Sequence, residues 1–172
     1  MTSPAAPVSD PGMETDKEFL DRAIAVTFER LRKARKNVAA LPEPLRVVAI
    51  VCSAQGVIDT EGLRIFFEND WPENPPYSDF VDAYRTAGAA AGADAIAAAA
   101  ALFAFAHPER EIGRRCETLA GPAGARVDEL DRELRGGVWE RLTAFARAHE
   151  AAFADAGVSR ARTGASRRPR RG

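Results

Sequence analysis

Leu45-Arg46-Val47-Val48-Ala49-Ile50-Val51-Cys52-Ser53-Ala54 decides the architecture. The segment is apolar nearly all round, so it belongs inside a core. Its Val and Ile content suits a buried strand as well as a buried helix. A strand needs a partner, and no second strand candidate exists in the chain, so the segment is read as a central helix. Pro42 and Pro44 are placed to end the preceding helix and begin this one. Gly56 is read as its stop.

Outward from that helix, the periodicity stays helical. Thr15-Asp16-Lys17-Glu18 has the form of a capping box, in which hydroxyl and carboxylate satisfy backbone amides reciprocally. Phe19, Leu20, Ile24, Phe28, Leu31 and Val38 then recur at helical spacing. The outer face carries Arg30, Arg32, Lys33, Arg35 and Lys36, a solvated basic run. Downstream, Asp59 or Thr60 is placed to cap a helix that buries Leu63, Phe66 and Phe67, with Asn69 as a left-handed exit. Trp71-Pro72 to Pro76 reads as a loop, and Ser78 as the cap of a helix burying Phe80, Val81 and Tyr84 and stopping at Gly88. Residues 94–106 make an Ala-rich helix that Pro108 breaks. A short helix is placed at 109–119. Another, marked by Val127, Leu130 and Leu134, ends at Gly136-Gly137. Val138, Leu142, Phe145, Ala152 and Phe153 mark the last, ending at Gly157. The fold class is all-α: a compact single-domain bundle of seven or eight helices over residues 15–157. A disordered leader at 1–14 and a disordered Arg-rich tail at 158–172 flank it.

With 172 residues and 46% hydrophobic content, the chain is long enough for one domain with a real core. No apolar run is long enough to span a bilayer, and no secretory signal is visible, so cytoplasm is the default. The two cysteines make no disulfide framework. Cys52 reads as a small buried hydrophobe, and Cys116 follows Arg114-Arg115 without partner spacing. His107 and His149 read as boundary or packing residues. No metal-ligand spacing, phosphate-cradling loop or nucleophile-base pair appears, so no catalytic residue, cofactor or metal site is assigned and the chain is read as a non-enzyme.

Charge is the remaining signal. The formal net charge of -1 conceals a basic end: residues 159–172 hold six arginines and no acid. The tail lacks interleaved aromatics, so nucleic acid is expected only through phosphate contacts there. Residues 59–82 carry seven carboxylates and one cation, Arg64. Glu68, Asp70, Glu73, Asp79 and Asp82 are candidate partner-binding acids, with Asp128, Glu129 and Glu133 as a second cluster. Acidic groups at such density can approximate the field of duplex DNA, with one charge per about 1.7 Å of axis. An alternative is hydrophobic interaction or dimerisation through Trp71 and Trp139.

Thr60-Glu61-Gly62-Leu63-Arg64-Ile65-Phe66-Phe67-Glu68-Asn69 resembles the Asn-Gly-Gly-Phe-x-x-Tyr-Phe-x-Asn signature of a bacterial DNA-mimic protein family. Residues 83–103, with Gly88-Ala89 at their centre, resemble that family's next segment. Leu130-Asp131 followed by Leu142, Phe145, His149 and Phe153 resembles its closing pattern. The resemblance covers roughly residues 45–153. It implies an all-helical, dimeric domain that presents DNA-like charge to a DNA-binding protein such as a helix-turn-helix transcription factor. Phe66, Phe67 and Gly88 read as packing residues, and Asn69 and Asp131 as hydrogen-bonding groups at helix ends.

Overall fold

A computed structural model describes residues 14–134 and 136–154, the side chain of Glu133 excepted. Among them lie eight α-helices and no strand: α1 Asp16–Lys33, α2 Glu43–Glu61, α3 Leu63–Glu68, α4 Tyr77–Thr86, α5 Ala90–Ala100, α6 Ile112–Ala120, α7 Pro122–Leu134 and α8 Val138–Ala148. Single 3-10 turns lie at Val38–Ala40, Pro108–Arg110 and Glu150–Phe153. Residues 1–13 of the leader, the end at Gly157 and the Arg-rich tail lie outside the described residues, whereas Glu14, counted with the leader, is described and pairs with Arg22. No described helix is long and apolar enough to cross a membrane.

The apolar 45–54 segment is a helix and the hub of the fold. α2 buries Leu45, Val47, Val48, Ala49 and Val51 and packs against α1, α3, α4 and α8. α4 lies on α5, α5 on α7 and α7 on α6, which closes the bundle. Cys52 of α2 is shut in this core, and burial pushes its thiol up to about 12. Cys116 is exposed. A maleimide at pH 8 is therefore expected to label Cys116 alone in the native protein and both thiols after denaturation, counted by intact mass. Labelling of Cys52 at the native rate of Cys116 would mean that α2 is not at the centre.

Several helix boundaries differ from the sequence expectation, each for a visible reason. α1 begins with the expected capping box: the Thr15 N–H reaches Glu18 Oε2 at 2.9 Å, and Thr15 Oγ1 accepts the Glu18 N–H at 3.3 Å. It ends at Lys33, before the prolines, because Arg35 and Lys36 turn left-handed (φ 55° and 66°). Val38 falls in a separate 3-10 turn, and Phe28 is 37% exposed rather than core. Gly56 does not stop α2. A helical glycine costs only about 1 kcal/mol relative to alanine, less than the core burial on either side of it. The helix runs on to Glu61 and breaks at Gly62, whose φ of +94° suits glycine. Asp59 and Thr60 are thus inside α2, not caps. Ser78 is likewise inside α4, which starts after Pro76. α5 starts four residues before Asp94 and ends at Ala100, because Phe103 leaves the helical path to join an aromatic cluster.

That cluster locks α3 against α4. Phe66 meets Phe67 edge-on at 4.9 Å and Phe80 at 5.0 Å; Tyr77 meets Phe67 at 4.8 Å and Phe103 at 6.3 Å. Edge-to-face pairs at such separations add about 0.5–1.5 kcal/mol each beyond burial. Burial pushes the Tyr77 phenol up to about 12, against an opposing pull from Arg115, so the ring is a neutral packing group.

Candidate functional site

α3 has six residues, too few to hold together on its own backbone bonds. It is held at both ends by distant side chains. At its start, Asp131 Oδ1 on α7 accepts the buried Leu63 N–H at 2.9 Å. At its end, Asn69 N–H bonds Ile65 C=O, and Trp71 Nε1 donates to Phe66 C=O at 3.0 Å. Arg115 takes the rest: Nε donates to Phe67 C=O at 2.7 Å, and Nη2 to Asn69 C=O at 3.1 Å and to Asp70 Oδ1 at 3.0 Å. Its Nη1 donates to Pro108 C=O at 2.6 Å. The Arg115 side chain is fully buried. Asn69 has φ -81°, so it is not the left-handed exit expected of it; Glu73 and Asn74 take the left-handed positions instead (φ 64° and 46°).

A recess of about 570 Å³ opens where α2, α3 and α7 meet, lined by Asp59, Glu61, Arg64, Asp128 and Asp131. Four carboxylates and one guanidinium line it. Arg64 is bonded to Glu68 at 2.9 Å; that bond, then charge from Glu68 and Asp128, raises its already high pKa. Asp59 is committed to structure. Tyr84 OH donates to Gln55 Oε1 at 2.9 Å, Gln55 Nε2 donates to Asp59 Oδ1 at 2.7 Å, and Trp139 Nε1 donates to Asp59 Oδ2 at 2.7 Å. This relay joins α4, α2 and α8. Burial, ahead of the nearby Asp59 charge, raises the Tyr84 pKa and keeps the hydroxyl a donor. Glu61 and Asp128 are exposed and make no ion pair or side-chain hydrogen bond among the described residues.

The expected acids therefore divide. Asp128 lies in the recess, and Glu68 reaches it through Arg64. Asp70 pairs with Arg115, and Glu129 with Arg126 at 2.8 Å. Asp79 and Asp82 lie three residues apart on α4, both exposed, and share one helix face. Glu73 and Asp79 line a different cleft. The side chain of Glu133 lies outside the described residues. Asp59 and Glu61 fall within the acidic stretch but not among the candidate partner-binding acids; the packing of α7 on α3, which follows α2 directly, brings them to the same recess as Asp128. Trp71 and Trp139, the expected interface anchors, are half-buried and spend their N–H groups inside the domain. His107 adopts φ +52° and pairs with Glu109 at 3.2 Å, while His149 leans on Phe145 with ring centroids 4.5 Å apart. No group of three or more His, Cys, Asp or Glu among the described residues is placed to hold a metal.

α3 with its Asp131 clamp is the signature segment, and the match extends well beyond it. A family described as "DMP19-like protein" matches residues 39–149. The chain belongs to the DMP19-like family, the DNA-mimic family that its motifs resemble. The matched segment holds α2 to α8 and excludes α1. It contains 17 acidic and 11 basic residues, so the family domain is more acidic than the chain as a whole. Curated proteins and solved structures return no match. In DMP19-like terms, the signature glycine is Gly62, the positive-φ break between α2 and α3, and the closing Leu-Asp is the α7 clamp on α3.

Proposed function

We propose that this DMP19-like chain is a non-enzymatic protein-binding domain that mimics DNA, occupying the DNA-binding surface of a transcription factor or other basic protein. Family membership over residues 39–149 carries the reading. The recess supports it: the Glu61 and Asp128 carboxylates make no ion pair or side-chain hydrogen bond among the described residues, and Asp59 and Glu68 stand near them on a clamped framework. Pre-organised charge of this kind speeds encounter with a cationic surface and is weakened by salt.

The test is capture from a host extract at low salt, followed by binding of the purified partner. The captured protein is expected to bind DNA itself, and duplex DNA is expected to displace it. Paired Glu61→Lys and Asp128→Lys changes are expected to weaken binding at least about tenfold and flatten its salt dependence. Both positions are exposed, so the fold is expected to survive, as circular dichroism would show. Binding that ignores both duplex DNA and the charge reversal would end the proposal.

A further inference from the structure

A second cleft, of about 560 Å³, opens between the end of α1, the face of α2 and the loop of residues 71–75. Its walls are largely apolar: Phe28 and Leu31 from α1, Ile50 from α2, Trp71 and Pro75 from the loop and Phe80 from α4. That volume and lining fit a small-molecule site, which typically spans about 300–1,000 Å³. Its rim is charged and unpaired. Arg32, Lys36 and Arg46 line the cleft, and none makes an ion pair or a side-chain hydrogen bond among the described residues. Arg46 is half-buried. Of the other half-buried arginines, Arg22 meets Glu14 at 2.8 Å, Arg64 meets Glu68 at 2.9 Å and Arg147 meets Asp16 at 3.2 Å, while Arg30, like Arg46, meets no carboxylate among the described residues. A guanidinium carries five donors in a fork that fits a carboxylate or phosphate.

The local field is positive. Residues 30–36 supply five cations and no acid, and among the described residues only Lys33 is tied to a carboxylate, Glu29, at 2.7 Å. Glu73 and Asp79 also line the cleft. Asp79 sits in the first turn of α4, where the helix dipole favours it. Three cations thus face two acids, and they stand on the α1 and α2 side. Two rim residues, Lys36 and Glu73, hold left-handed backbone that residues with side chains rarely adopt. α1 and the turn that follows it, with the walls Phe28 and Leu31 and the cations Arg32 and Lys36, lie outside the matched family segment, so this cleft is not a property of that segment alone.

We propose that the cleft binds an amphiphilic organic anion, a carboxylate with an apolar body, its head on Arg46 with Lys36 and Arg32 and its body along Phe28, Ile50 and Trp71. The inference is independent of the mimicry reading, because it uses different residues on different elements.

Calorimetry of the full chain with decanoate, decanol and decyltrimethylammonium tests it. Decanoate is expected to bind one-to-one with Kd below ~1 mM, and decyltrimethylammonium at least about tenfold more weakly. The double variant Lys36→Gln, Arg46→Gln is expected to lose about tenfold for decanoate and less than about twofold for decanol. Comparing the three ligands on the unmodified protein needs no variant to fold. Equal affinity for the cationic ligand, no saturable binding, or unchanged decanoate binding in the double variant would each overturn the proposal. So would decanoate binding that emerges only after removal of residues 155–172, which would make the tail the occupant. Binding that fades as protein concentration rises would seat a second copy there and overturn it equally.

Discussion

Arg115→Ala is expected to lower the unfolding free energy by about 3–5 kcal/mol, read from the urea midpoint at constant slope. The side chain is fully buried and makes four hydrogen bonds, three to backbone carbonyls and one to Asp70. Removing it orphans the buried Phe67 C=O, which accepts no other bond among the described residues, and leaves the Asn69 C=O of an exposed residue to water, whereas Pro108 C=O keeps the Glu111 N–H. Each buried unpaired carbonyl costs about 1–3 kcal/mol, and the void left by the side chain adds to that. Asp70 is largely exposed, so its share is small and screened. In a domain of this size, each kcal/mol moves the melting temperature by about 2–4 °C, so a loss of about 10 °C is expected. Arg115→Lys is expected to recover under half of the loss, because one ammonium cannot reach carbonyls from both α3 and the Pro108 turn. An Arg115→Ala variant within about 1 kcal/mol of the parent would show that α3 does not depend on this clamp.

Arg115 also marks where sequence reading stops. The bundle was legible because apolar residues repeat at helical spacing within each helix, as Leu63, Phe66 and Phe67 do in α3, Phe80, Val81 and Tyr84 in α4, and Val127, Leu130 and Leu134 in α7, and period alone places an element's buried face. Arg115 stands one turn before the buried Leu119 on that same spacing, the signal of its burial, while Ile112 at the start of the helix is exposed. That signal was masked by Arg114 beside it, since paired arginines ordinarily mean a solvated face. The hydrogen-bonding role expected of Asp131 is met, though its partner, 68 residues away on α3, is set by the return of α7 and by no local pattern. The recess has the same origin: Asp59 and Glu61 at the end of α2 meet Asp128 on α7 across the chain. Gly56 misled in the opposite sense. Local propensity marked it as a stop, while the apolar residues on either side carried the helix through it.

The contrast between Gly56 and Gly124 gives the second large effect. Gly→Ala inside a helix ordinarily stabilises by about 0.5–1 kcal/mol through lost unfolded-state freedom. Gly56→Ala is expected to show that gain, since an added Cβ would meet nothing within 4 Å. Gly124→Ala is expected to reverse the sign and cost about 3 kcal/mol. Its Cβ would stand 2.1 Å from Leu119 O and 3.3 Å from Arg64 Nη1. The first contact is with backbone at the end of α6, so no side-chain rotation relieves it. α6 and α7 would have to separate by about 1 Å, which close-packed interiors resist. α7 carries both Asp128 of the recess and the Asp131 clamp on Leu63. The same displacement therefore loosens α3 and shifts Arg64 among its carboxylates. Partner affinity is then expected to fall together with stability in Gly124→Ala, while Gly56→Ala raises stability and leaves affinity unchanged. If both substitutions stabilise, the α6–α7 junction is looser than this packing requires, and the recess is not held rigid by it.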